Sequence, residues 1–379
     1  MKKLVIIALA ALIALPAMAA KPLTFVVSED VSYDDNIYLS RYDKKDAGIS
    51  TTRVGANYNT TIPNSALKFN ANALVGYNAY TRKHDINNYW DALGGVELSN
   101  KQFKIGDKVL YTSEYANEDL DVKRSDTKRL QNDAYISYVT STEKMFGVGV
   151  FAQDIYKHYF EEAMKPLTRN RLNLGAQLYY NLSPKTNFFV EYMFSDIDYK
   201  EDLLKINESQ THSVGLGVKG QVAPKVTGIA KVTYDMRKYN EKDAEGEDEK
   251  NLVGYLLSLE WKPTTTNTIR LTGERDLKET MYGNNRYFKD TTLSLYADQK
   301  IGNRLTAHVT LIWDQMHYDK YVSGAKRADD VFLVRPGVDY QFKDWLTAGV
   351  WYQFRARHST LNNAEYENNR AGVFVRALF

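Results

Sequence analysis

The sequence predicts an all-β protein: a transmembrane, antiparallel, up-and-down β-barrel of about 18 strands. Three observations lead to this prediction. Stretches of about ten residues alternate between apolar and polar side chains, as strands with one lipid face and one water face do. Short turns and longer charged loops follow one another in regular succession. After Ala20, no segment approaches the roughly 20 consecutive apolar residues of a transmembrane helix.

Residues 1–19 have the pattern of a secretory signal peptide. Two lysines precede an apolar run from Leu4 to Leu15, and Ala17-Met18-Ala19 supplies the small side chains of a cleavage site. We therefore expect residues 20–379 to form an exported outer-membrane barrel domain. The formal net charge of +2 equals the two lysines of the leader, so the mature domain is close to neutral and nucleic acid is not an expected partner.

Turns of two lengths alternate along the chain. Short turns are predicted at residues 62–65, 100–102, 142–144, 183–186, 223–225, 264–267, 302–304 and 343–345. Longer loops are predicted at 34–48, 82–88, 118–129, 159–170, 200–210, 240–250, 281–288, 320–328 and 361–366. Together these connections imply about 18 strands, an even number with both termini on the periplasmic side. No loop stands out in length, so no inward-folded constriction loop is expected.

The alternation indicates which face meets lipid. In the segments 67–77, 172–182 and 346–354, every second residue is apolar, while the residues between them are largely polar or charged. A dry interior could not hold so many charges, so the apolar face is predicted to be the outer one. Arg275 and His358 break this rule, but each lies late in a strand that leads into a long loop, where a charge on the lipid face costs about 0 to 1 kcal/mol.

The last strand carries the strictest alternation. Ala371, Val373, Val375, Ala377 and Phe379 share one face. A terminal phenylalanine on such a strand resembles the signal that bacterial outer-membrane barrels present to their assembly machinery. We therefore expect the outer membrane of a Gram-negative-type bacterium as the location. Expected partners are the barrel-assembly machinery during biogenesis, outer-membrane lipid and lipopolysaccharide, with a homo-oligomer left open.

The inward face carries charges of both signs. One interpretation is a wet channel whose wall charges tune which solutes pass; the other is a solvated network that only stiffens the wall. Arginines cluster in the last strands, which favours a locally cationic strip, and Arg53 lies one strand further round. The pore-lining candidates are Arg335, Asp339, Arg355, Arg357, Arg370, Arg376, Trp351 and Asp314.

Inward aromatic residues also allow two interpretations. They could form a stacking track for sugar rings, as in sugar-specific porins, or they could simply fill the wall. The residues concerned are Tyr80, Phe151, Tyr179, Phe189, Tyr296, Tyr318 and Trp351.

Catalytic and metal-binding motifs are not evident. The chain has no cysteine, and none of its 6 histidines lies in a Ser-x-His or His-Glu-x-x-His pattern. Acidic residues of the loops, such as Glu247 to Glu249 and the pair Asp119 and Asp121, are interpreted as solvated surface. We therefore predict no enzyme, no catalytic residue, no metal and no cofactor.

The string Val31-Ser32-Tyr33-Asp34-Asp35-Asn36-Ile37-Tyr38-Leu39 lies at the first hairpin. This string, with the strand pattern that ends at Phe379, resembles the putative beta-barrel porin 2 family of outer-membrane proteins. The resemblance implies a porin-like barrel, and some family members are associated with exopolysaccharide export. It implies no catalytic residues.

The sequence therefore favours a channel for passive diffusion of small hydrophilic solutes. Barrels of 16 to 18 strands normally leave an aqueous channel. Two alternatives remain open: an exopolysaccharide export channel, and a structural or adhesive barrel without transport.

Deletion of Phe379 tests the proposed assembly signal. If the assembly machinery reads this side chain, the deleted protein should reach the outer membrane at a small fraction of the wild-type amount. Quantifying the folded protein in isolated outer membranes measures the effect. Wild-type amounts of the deleted protein in that fraction would contradict the prediction.

Overall fold

The computed structural model describes residues 22–82, 88–114, 127–140, 144–183, 185–243, 245–280, 285–322 and 325–379. The predicted signal peptide at residues 1–19 lies outside this part of the chain. So do most of the predicted loops at 82–88 and 118–129.

Strands make up most of the described chain. The first nine are β1 (Leu23–Asp34), β2 (Ala47–Thr61), β3 (Lys68–Tyr80), β4 (Tyr89–Ser99), β5 (Phe103–Glu114), β6 (Thr127–Val139), β7 (Phe146–Tyr159), β8 (Arg169–Ser183) and β9 (Thr186–Tyr199). The next nine are β10 (Ser209–Ala223), β11 (Val226–Tyr239), β12 (Glu249–Trp261), β13 (Asn267–Glu279), β14 (Tyr287–Ile301), β15 (Leu305–Val322), β16 (Ala325–Lys343), β17 (Leu346–Ser359) and β18 (Tyr366–Leu378). Two short 3₁₀ helices lie in loops, at Lys165–Leu167 and Asp202–Asn207.

The sheet closes on itself. Each strand pairs antiparallel with its neighbours in sequence, and β1 also pairs with β18. The predicted antiparallel barrel of about 18 strands is therefore confirmed. In the parts of the chain that the structure describes, no helix is long and apolar enough to cross a membrane.

The two faces of the wall differ as the alternation predicts. In β10, Ser209 and Ser213 are at most 2% exposed, whereas Val214 and Leu216 are 45% and 64% exposed. Apolar side chains on the outside and polar ones on the inside are the reverse of a soluble barrel. This arrangement suits a wall with lipid outside and water inside.

Two carboxylates on the outer face were not foreseen from the sequence. Glu29 shares the outward parity of β1, and its carboxylate accepts hydrogen bonds from the hydroxyls of Ser50 and Thr52, both at 2.5 Å. Asp107 lies on the outward parity of β5 and accepts a hydrogen bond from the Asn132 amide at 2.5 Å. Donors on the neighbouring strand thus satisfy both groups, which reduces the cost of a polar group beside lipid.

Side chains of the first loop fasten β1 to β18. The Asp34 carboxylate accepts hydrogen bonds from the backbone N–H of Asn36 at 2.9 Å and from the Asn368 amide at 2.6 Å. The Asp35 carboxylate accepts two more, from the backbone and side-chain nitrogens of Asn369 at 2.7 and 2.8 Å. The string on which the family resemblance rests therefore ties the closing seam at the end that carries the long loops.

Arginine substitutions test the assignment of the two faces. Val350 and Leu174 lie mid-strand and are 55% and 42% exposed on the outer face. Arginine at either position should lower the free energy of unfolding by about 2 to 4 kcal/mol, because it places a charge in hydrocarbon. Thr347 and Asn173, lumen-facing positions of the same two strands, are the matched controls and should tolerate arginine. Urea unfolding in lipid vesicles measures all four, and equal midpoints would contradict the assignment.

Candidate functional site

The barrel wall is split between β12 and β13 on the extracellular side. Their ladder ends at the pair Tyr255 and Arg275, and within the described residues it does not continue beyond that pair. By contrast, β13 stays paired with β14 as far as Glu279. We call residues 276–280 and 285–289, the free end of this hairpin, the flap.

The flap lies inside the barrel, against the inner wall. Its Leu277 and Tyr287 form an apolar cluster with Tyr239 of β11 and Leu252 of β12. The Glu279 side chain reaches as far as β8. Loop lengths could not predict this inward-folded element, because the flap is built from strand ends and not from a long loop.

Contacts with neighbouring segments hold the tip of the flap. The backbone N–H of Lys320 donates to the Asn285 side chain at 2.8 Å, and the Lys320 ammonium lies 2.9 Å from Asp243 and also contacts Glu245 and Glu247. Burial raises the pKa of Asp243, but the Lys320 ammonium and the backbone N–H groups of residues 247 and 245 outweigh it and hold that pKa below its usual range. These three carboxylates cluster within 4.8 Å, and lysine supplies the positive charge among them.

A second region of the lumen wall carries a polar pocket. There, β1 to β4 and β16 to β18 enclose a volume of about 300 Å³. The guanidinium of Arg335 lies 4.2 Å from the Trp351 ring, and that of Arg370 lies 5.3 Å from it. The indole N–H of Trp351 donates to Asp30 at 2.9 Å, and Arg53 lines the same pocket. Arg53 also lies 3.5 Å from the Asp91 carboxylate, so three arginines against Asp30 and Asp91 leave a small positive balance.

The ring of Trp351 lies flat on the wall. A Cβ added to Gly372 would come within 2.7 Å of the indole, so only glycine leaves space for the ring there. Phe151 covers Gly175 in the same way, with the corresponding distance at 2.1 Å. Five of the inward aromatic residues considered for a sugar track are at most 7% exposed, which favours the wall-filling interpretation: Tyr80, Tyr179, Phe189, Tyr318 and Trp351.

The remaining arginine candidates do not join this pocket. Arg376 is exposed near the periplasmic end of β18, where its guanidinium contacts the Phe374 ring at 5.5 Å. Arg357 is 6% exposed near the extracellular end and lies 3.8 Å from Asp329. Arg355 lies 5.8 Å from the ring of the buried Tyr366. The predicted cationic strip is therefore divided into separate environments at different levels of the wall.

The two carboxylate candidates make local contacts. The Thr292 hydroxyl donates to Asp314 at 3.1 Å, and an imidazole nitrogen of His308 lies 3.2 Å from Asp339. Of the eight candidates, the structure brings Arg335, Trp351 and Arg370 together in one pocket.

The charged lumen residues that the sequence prediction of the site missed include Asp30 and Glu279. Asp30 could have been found, because it lies on the inward parity of β1 between Ser28 and Ser32. Glu279 could not, because it shares parity with Leu277 and so reads as lipid-facing. The argument against a lipid-facing Glu279 was the free-energy cost of placing a carboxylate in hydrocarbon.

The chain matches the sequence profile of the family described as putative beta-barrel porin 2 over residues 164–379, which is more than half of its length. It belongs to this family. No curated protein sequence matches the chain.

Solved outer-membrane proteins share the fold. OpdK from Pseudomonas aeruginosa aligns with a TM-score of 0.54 and 11% identity over 94% of this chain and 99% of its own. OccAB3 from Acinetobacter baumannii aligns with a TM-score of 0.51 and 11% identity, over 94% and 99% of the two chains. A BenF-like porin from Pseudomonas fluorescens Pf-5 aligns with a TM-score of 0.51 and 11% identity, over 94% and 98%. At such identities the similarity establishes the barrel architecture alone.

Family and fold together identify a porin-like channel of the Gram-negative outer membrane. This confirms the predicted family, fold class and location. The arrangement is that of a channel wall.

Neutralising the pocket arginines should weaken anion preference. A unit charge a few ångströms from the permeation path contributes about 0.5 to 1 kcal/mol in water, so we expect Arg335→Gln with Arg370→Gln to lower the anion-to-cation permeability ratio about two- to fivefold. Reversal potentials under a salt gradient measure this ratio. The effect should be larger at low salt, where screening is weaker.

The matched control removes two positive charges from the periplasmic turns, Arg304→Gln with Lys343→Gln. Both side chains are exposed and away from the pocket. The control should keep the wild-type ratio. A pocket variant that behaves like this control would place the two arginines off the permeation path.

Proposed function

We propose that this protein is a passive channel for small hydrophilic solutes and that it favours anions. One observation carries the proposal: a closed barrel wall encloses a polar pocket in which Arg335 and Arg370 flank Trp351 beside Arg53. Positive side chains that line a wet lumen raise the local concentration of anions.

The solute class follows from the size and polarity of the pocket. A volume of about 300 Å³ accommodates a small organic molecule and not a folded chain or a wide polymer. One of the structural relatives, OpdK from Pseudomonas aeruginosa, was solved with vanillate. For this protein we propose small anions, because guanidinium groups recognise carboxylates well.

Passive permeation needs no catalysis and no cofactor. We therefore propose that the protein has no enzymatic activity. We further propose that lipid and lipopolysaccharide surround the barrel and that the assembly machinery inserts it. The carboxylates of Glu29 and Asp107 on the outer face are acceptors that a second copy of the chain could contact.

A planar-bilayer recording on refolded protein tests the channel directly. We expect stepwise increases in current whose size is proportional to voltage, because an open aqueous pore behaves as an ohmic resistor. Heat-denatured protein is the control and should give no steps. Adding polyethylene glycols of increasing size then measures the bore, and only small ones should enter.

Two outcomes would contradict this function. A folded barrel that gives no current steps would be a structural or adhesive barrel. A pore that admits large polymers freely would fit polysaccharide export better than diffusion of small solutes.

A further inference from the structure

Cationic side chains crowd one patch of the inner wall, on the extracellular side of β6 to β8. Lys157 of β7 lies directly opposite Arg169 of β8 in their ladder, and Arg171 follows two residues later on the same face. Arg129 of β6 lies diagonally across from Lys157. Like charges on facing positions of neighbouring strands destabilise a sheet. We call Arg129, Lys157, Arg169 and Arg171 the basic patch.

A carboxylate from the flap enters this patch. One oxygen of Glu279 lies 2.6 Å from the Arg171 guanidinium and 3.2 Å from that of Arg237 on β11, and the other lies 3.7 Å from Arg169. The side chains of Glu279 and Arg237 are 8% and 5% exposed. Three guanidinium groups arranged around one carboxylate form a built carboxylate-binding site, because each presents donors in a planar fork.

The carboxylate that fills the site lies on a hairpin end that, beyond Tyr255 and Arg275, has no ladder to the wall on its β12 side within the described residues. On its other side, the flap stays paired with β15 as far as Phe288, and the Tyr287 hydroxyl donates to Asp319 at 2.7 Å. What fixes it on the β12 side is a set of side-chain contacts: the Leu277 carbonyl accepts a hydrogen bond from Arg237 at 3.1 Å, and Leu277 packs in the apolar cluster with Tyr239 and Leu252. Such contacts are weaker and more readily broken than a continuous strand ladder.

We propose that the basic patch and Arg237 form a binding site for the carboxylate of a permeating solute, and that Glu279 occupies it as a tethered competitor. The inference rests on the proposed channel function and names its solute class, small carboxylic acids. A solute carboxylate that replaces Glu279 removes one attachment of the flap, so the flap moves from the wall and the lumen widens. Chloride, a sphere, cannot use the planar forks in the same way.

Single-channel recordings with propionate test the site, because propionate has the carboxylate and ethylene arm of a glutamate side chain. In the wild type, replacing part of the chloride with propionate at constant ionic strength should raise the fraction of time in the widest conducting state. Glu279→Gln should reach that state without propionate. In this variant the site is empty, so propionate should bind in it and interrupt the current. The propionate concentration needed should be about tenfold lower than the one that changes the wild-type recordings.

Two further variants make the test specific. Adding Arg171→Gln to Glu279→Gln should abolish the interruption by propionate, because the strongest partner of the carboxylate is gone. Glu274→Gln is the matched control: it removes a carboxylate from the same strand, at an exposed position, and should behave as the wild type. If Glu279→Gln does not fold, the propionate response of the wild type still decides the matter.

Failure of the channel function and failure of the carboxylate site give different results. If neither the wild type nor any variant gives current steps, the channel function itself is wrong. If the wild type conducts but spends the same fraction of time in its widest state with and without propionate, or if Glu279→Gln behaves as the wild type, the channel stands and the carboxylate site is wrong.

Discussion

Closure of the hydrogen-bond ladder between β1 and β18 is the constraint on which the rest of the structure depends. In hydrocarbon every backbone N–H and C=O must find a partner within the protein, so an open sheet edge is excluded. The ladder joins residues 26–34 to 370–378. At its extracellular end, the carboxylates of Asp34 and Asp35 add side-chain hydrogen bonds to β18. The first loop thus fastens the seam where thermal opening would begin.

A closed wall fixes where every side chain points, and the lumen follows from this. Inward rings such as Trp351 and Phe151 would obstruct the channel if they stood upright. Glycines on the neighbouring strand, Gly372 and Gly175, let them lie flat instead. The ring then serves as a platform for the guanidinium groups of the pocket, through cation–π contacts. A wall-filling residue therefore also organises the charges that solutes meet.

Alternation and turn spacing were enough to predict the strand number, the faces and the termini, because both are local properties of the chain. Contacts between distant strands were not predictable in this way. Parity places Leu277 and Glu279 on the lipid side of β13, yet both touch the inner wall, because β13 leaves β12 above Arg275. A period of two shows which residues of a strand share a face. It does not show whether the end of the strand stays in the barrel wall or folds into the lumen. The facing pair of Lys157 and Arg169, which needs a nearby counter-charge, became evident only from the register of β7 and β8.

The flap also couples the size of the lumen to its charge. While Glu279 lies among the guanidinium groups of Arg169, Arg171 and Arg237, it offsets part of their positive potential and occupies part of the cross-section. Moving the flap would therefore widen the lumen and uncover positive charge in the same step. The pocket around Arg335 is lined by β1 to β4 and β16 to β18, so its charge does not depend on Glu279. The proposed anion preference would then have a constant part, set by this wall, and a variable part, set by an element without a ladder on one side.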